Sequence, residues 1–203
     1  MLLAVKEFFI GLMVSLNIMT PEEEVVIPKE VEIIYDTQFE AEERENMKEF
    51  LSGLPEEYLN DYIYNDGIIY VSDGDIASKY DLETDGCDGL QGKFTPEHNK
   101  FEIYFDTDCL TKELFYHEFG HFVCFDIFSR DEEKLDEYTK IYELEKFNFT
   151  QINSNMLTSD DANYFVEDKK EFFAETFSLY LTNPEFMKEY FPNTYNYYKV
   201  LGI

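Results

Sequence analysis

The sequence predicts an α+β domain, with its strands early in the chain and its helices late. Three short segments, Val31–Tyr35, Gly67–Val71 and Lys100–Phe105, are rich in β-branched or aromatic residues and read as strands. From Thr111 onward the apolar residues fall at helical spacing instead. The length of 203 residues fits one domain, and a chain that is 44% apolar and 18% aromatic can fill a core.

In chain order, the first strand (VEIIY) is followed by a charge-rich helix over Glu40–Leu51, which Ser52-Gly53 stops. A second short helix is expected over Pro55–Ile63. The strand at Gly67–Val71 ends at the turn residues Ser72-Asp73-Gly74-Asp75, and Asp81–Gly92, with three of the nine glycines, reads as a loop. The third strand, KFEIYF, precedes a long helix over Thr111–Ser129 whose apolar faces carry Leu114, Phe115, Phe119, Phe122, Val123 and Ile127. Further helices are expected over Glu132–Phe147 and Lys169–Leu181, with one or two short aromatic-rich ones over Pro184–Leu201. Residues 1–30 stand apart from the 31–203 domain. Their apolar run Phe8–Leu16 is too short to span a bilayer, and it fits either an export signal or an amphipathic first helix.

The charge narrows the choice of partner. Forty-four Asp+Glu against 16 Lys+Arg give a net −28, which argues against nucleic acid and against stable insertion in an anionic membrane. It favours a basic partner or substrate drawn in by electrostatic steering, or it serves solubility alone. The three cysteines, Cys87, Cys109 and Cys124, allow one bridge such as Cys87–Cys109 or three free thiols, and no CxxC is present. Asp81–Gly92 begins like a calcium-binding loop, but its twelfth position is Gly92 where a bidentate Glu is needed.

Chemistry concentrates in His117-Glu118-Phe119-Gly120-His121, an HExxH inside the long helix. Residues four apart on a helix stand one turn above each other, so both imidazoles can face one metal ion. Glu118, one step round, can reach a metal-bound water without ligating. Two neutral histidines and one carboxylate suit Zn²⁺ with an open fourth position, which lowers the pKa of the bound water towards ~7. Glu118 can then take its proton. Gly120 costs about 1 kcal/mol relative to Ala inside a helix and wants a reason. For the third ligand, His98 lies upstream in a turn-like stretch, whereas Glu171-Phe172-Phe173-Ala174-Glu175 offers two carboxylates on one helical face. Glu171 can ligate and Glu175 can hydrogen-bond a ligand histidine, the alternative being a merely solvated acidic face.

HEFGH followed some fifty residues later by EFFAE resembles the catalytic domain of anthrax lethal factor and the secreted clostridial Pro-Pro endopeptidases, which share a small zincin fold. The resemblance implies a single-domain zincin with a small mixed sheet, export from the cell, and Glu171 as third zinc ligand. It also implies that Tyr164, seven residues earlier, points its hydroxyl at the metal site, where a phenol can stabilise an oxyanion or protonate a leaving amine. Gly92 and Lys93, by the same resemblance, sit on an edge strand that pairs with an extended peptide, although Gly92 alone reads equally as a turn glycine. The tryptophan near the cleft of the Pro-Pro enzymes has no counterpart here, since the chain has no Trp.

The expected activity is that of a zinc-dependent endopeptidase acting on a basic or proline-containing peptide, with Glu118 and Tyr164 catalytic and His117, His121 and Glu171 on the metal. The rival reading takes the charge itself as the function, as in an acidic nucleic-acid mimic that fills a basic groove on a partner.

Overall fold

The computed structural model describes residues 30–83, 90–96, 100–151, 165–166 and 168–203. The expectations for residues 1–29, Cys87, His98 and Tyr164 therefore lie outside the described residues.

Four strands, β1 (Glu32–Asp36), β2 (Ile68–Ser72), β3 (Gly92–Thr95) and β4 (Glu102–Asp106), form one sheet in the order β1-β2-β4-β3. Pairs β1/β2 and β2/β4 are parallel and β3/β4 is antiparallel, so the sheet is mixed, as expected. A parallel pair needs a crossover. Helices α1 (Glu40–Ser52) and α2 (Glu56–Tyr64) supply the first one. Between β2 and β3 lies a helix that sequence periodicity misses, the five-residue α3 (Ile76–Tyr80). Its start is legible afterwards, because the Asp75 carboxylate accepts from the backbone N–H groups of Ala77 and Ser78. Composition alone does not mark β3 either. Four residues opened by a glycine show too little alternation to stand out from the loop before them.

Alternation along the sheet sends Ile69, Val71, Ile103 and Phe105 into the core, all fully buried. Against them packs α4 (Lys112–Arg130), started by Thr111, whose hydroxyl accepts from the N–H of Leu114 at 3.1 Å. Rings of Phe105 and Phe115 meet at 5.7 Å, and Tyr62 of α2 packs edge-on against Phe122 at 4.9 Å. Helices α5 (Glu132–Glu145), α6 (Asn148–Gln151), α7 (Lys169–Thr182), α8 (Pro184–Tyr190) and α9 (Pro192–Leu201) complete the fold. The expected C-terminal helical stretch divides at Pro192, which opens α9. The buried Glu145 carboxylate receives the N–H groups of Asn193 and Thr194 at 2.8 and 3.0 Å, tying α9 to the end of α5.

Among the described residues the most extensive helix packing is α4 on α7, and Gly120 permits its close approach. A Cβ at Gly120 would lie 3.0 Å from the Ala174 Cα and 3.2 Å from its carbonyl oxygen. With a small residue on each side, α7 comes near enough for its carboxylates to reach the histidines. Phe172, Phe173 and Phe177 meanwhile turn into the core, fully buried. Among the described residues no helix is long and apolar enough to cross a membrane, and Cys109 and Cys124 are free thiols.

Candidate metal centre

His117 and His121 project from one face of α4, ring centroids 4.9 Å apart and nearly perpendicular. Glu171, in the first turn of α7, places its Oε2 3.3 Å from Nε2 of each histidine. The three donor atoms lie within 4.8 Å of one another. These distances can be tested against an ion. In a tetrahedral zinc site with bonds of about 2.0–2.1 Å, neighbouring donors stand about 3.3–3.4 Å apart, and the two Glu171 contacts of 3.3 Å match that edge. A pair of imidazoles with one carboxylate is also a borderline donor set, suited to zinc rather than to the all-oxygen cages of calcium or magnesium.

Around these donors sits a second carboxylate. Nδ1 of His117 lies 3.2 Å from Oε2 of Glu175, so an N–H on that nitrogen is directed to Glu175 and Nε2 is the nitrogen turned towards Glu171 and a ligand. Burial disfavours a charged His117, but the Glu171 and Glu175 carboxylates outweigh it and hold its pKa up at about 10. Burial likewise pushes the Glu171 carboxyl up, and its bonds to His117 and His121 more than reverse this, leaving it well below the usual carboxylate range. The cluster is thus built to hold positive charge. Phe165 packs against the His117 ring at 6.3 Å and shields it on one side.

Glu118 points the other way round the helix, towards β3, and is buried at 6% exposure. Here Gly92 has a structural reason. A Cβ at Gly92 would lie 2.9 Å from both Cγ and Oε1 of Glu118, so the carboxylate occupies the space a side chain would need. Lys93 points elsewhere. It pairs with Tyr104 in the register, on the sheet face opposite Ile103 and Phe105, and its Nζ donates to the Glu83 carbonyl at 3.3 Å.

The backbone of β3 follows the same alternation. Gln91, opposite Asp106, accepts the Asp106 N–H at 3.0 Å. Bonded and non-bonded pairs alternate in an antiparallel ladder, so Lys93 bonds inward to β4 while Gly92 and Phe94 turn their N–H and C=O outward. Among the described residues no further strand lies beyond β3. The sequence reading missed Phe94, and only the register could have supplied it.

A small mixed sheet with an HExxH helix beneath its edge, and a carboxylate on a following helix beside the two histidines, is the arrangement of a zincin-like fold. More narrowly, residues 98–201, half of the chain, match the family model described as anthrax toxin lethal factor, N- and C-terminal domain. The chain belongs to that family. Among solved structures it is similar to the Pro-Pro endopeptidase PPEP-2 from Paenibacillus alvei. That likeness has a TM-score of 0.61 and 20% identity, and it covers 83% of this chain and 96% of the other. No curated protein matches the chain.

Proposed function

We propose that this protein is a zinc-dependent endopeptidase that lays an extended segment of a protein substrate along β3 and hydrolyses one peptide bond beside Glu118. The observation that carries the reading is the convergence of His117, His121 and Glu171, with both Glu171 contacts at the edge length of a tetrahedral site, and a buried carboxylate on the adjoining step of the same helix. Those three residues would hold the ion, and Glu175 keeps His117 in the ligating tautomer. When bound, the ion supplies Lewis acidity to a water and to the substrate carbonyl.

The remaining steps belong to the chain. The outward N–H and C=O groups of Gly92 and Phe94 bind substrate backbone as an added strand. The Glu118 carboxylate accepts a proton from the attacking water and returns it to the leaving amine. We assign the donor facing the developing oxyanion to Tyr164 on the strength of the family resemblance. The Paenibacillus relative is named a Pro-Pro endopeptidase, which brings proline-containing peptides into the substrate class. The charge of −28 adds a preference for basic flanking residues.

The test is metal content after purification without chelator and supply of Zn²⁺, followed by cleavage of a peptide library. About one zinc per chain is expected, largely lost in Glu171→Ala, with cleavage products that disappear in Glu118→Gln. A chain that takes up no zinc, or a Glu118→Gln variant that cleaves like the parent, overturns the reading.

A further inference from the structure

Beside His121 a cavity of about 400 Å³ opens between β3, α4, α5 and the start of α7. That size lies within the range of about 300–1,000 Å³ typical of ligand pockets. Phe94, Cys124, Phe125, Phe128 and Leu135 make its walls apolar, and Lys169 and Lys170 stand among its lining residues. Among the described residues no acidic one lines it, although Asp+Glu outnumber Lys+Arg by 44 to 16 in the chain.

Two features connect the cavity to the candidate site. His121 belongs to both. Phe94, whose backbone faces the open edge, puts its ring into the cavity wall, against Phe125 at 6.4 Å. Phe125 is itself 41% exposed, apolar surface that an entering side chain would cover. A strand advances about 3.3 Å per residue. A peptide running along β3 from Gly92, beside Glu118, reaches the cavity within two or three residues.

We propose that this cavity is the specificity pocket of the endopeptidase. It takes one bulky apolar side chain of the substrate, of the Phe, Leu or Met kind, two or three residues from the cleaved bond on the side towards Thr95 and Pro96. The lysines exclude Lys or Arg from that one position, whatever the acidic surface attracts elsewhere. The inference rests on the endopeptidase reading, and two measurements separate their failures.

The first uses N-acetyl-L-tryptophanamide on the zinc-loaded protein. The chain contains no tryptophan, so indole emission comes from the probe alone. A saturable blue shift is expected, competed by N-acetyl-leucinamide but not by the lysinamide, and weakened at least ~10-fold by Phe125→Asp or Leu135→Asp at unchanged zinc content. No shift, or a shift unaffected in a folded variant, overturns the pocket. The second is library cleavage. Enrichment of bulky apolar residues should appear at one position and collapse in the same variants, while preferences elsewhere persist. Cleavage without that enrichment overturns the pocket alone. Probe binding without any cleavage overturns the endopeptidase reading, and the pocket's role in specificity with it.

Discussion

On one flank of α4, Gly120 lies against the backbone of α7; on the other, Gly92 of β3 lies against the side chain of Glu118. Both glycines leave out a Cβ so that a neighbour can come close. At Gly120 the neighbour is a rigid helix backbone, and on the proposed function the closeness serves assembly of the metal donors. At Gly92 it is a carboxylate that can rotate away, and the closeness serves the position of one reacting group. The two contacts therefore separate holding an ion from using it, and substitutions should resolve them.

The largest effect is expected where no neighbour need move. Glu118→Gln should keep zinc and the fold while kcat/KM for peptides falls by about 10²–10⁴, the usual share of a general base. Next comes Gly92→Ala, which displaces that same carboxylate. Misplacement by about an ångström can cost roughly 10²-fold in rate, and zinc content and Tm should stay at parental values. If Gly92→Ala lost zinc instead, the separation between the two flanks would be wrong. Glu175→Gln acts on the α7 flank, where loss of the carboxylate behind His117 should weaken zinc affinity by about 10–100-fold in a chelator competition. Smallest is Gly120→Ala, an overpacking change expected to cost about 1–3 kcal/mol in denaturant unfolding. Zinc affinity should fall alongside, because α7 carries Glu171 as it moves.

These four changes also mark what a linear reading can reach. His117, His121, Glu171 and Glu175 all sit at four-residue spacing on helices, so their shared faces follow from helical geometry before any tertiary contact is known. Gly120 asks for a reason in the sequence, but neither the close helix approach nor Ala174 as its neighbour follows from it. The resemblance puts Gly92 and Lys93 on an edge strand, where β3 lies, but the register of that strand is out of reach for a different reason. Whether Lys93 or Phe94 faces the cleft depends on a one-residue choice of register against β4, and that choice reverses every side chain. The cavity beside His121 draws its walls from four elements spread from β3 to α7, and periodicity within each cannot bring them together.

The outer edge of β3, beyond which no further strand lies among the described residues, has one more consequence, for the protein's behaviour in concentrated solution. Backbone donors and acceptors do not distinguish a substrate from the strand of another copy, so an edge kept open for peptides is also open to self-association. Two copies meeting there bring −28 against −28, and the half-buried strand is only four residues long. Mutual repulsion guards what cannot be capped without closing the cleft, and raising the salt would relax that guard.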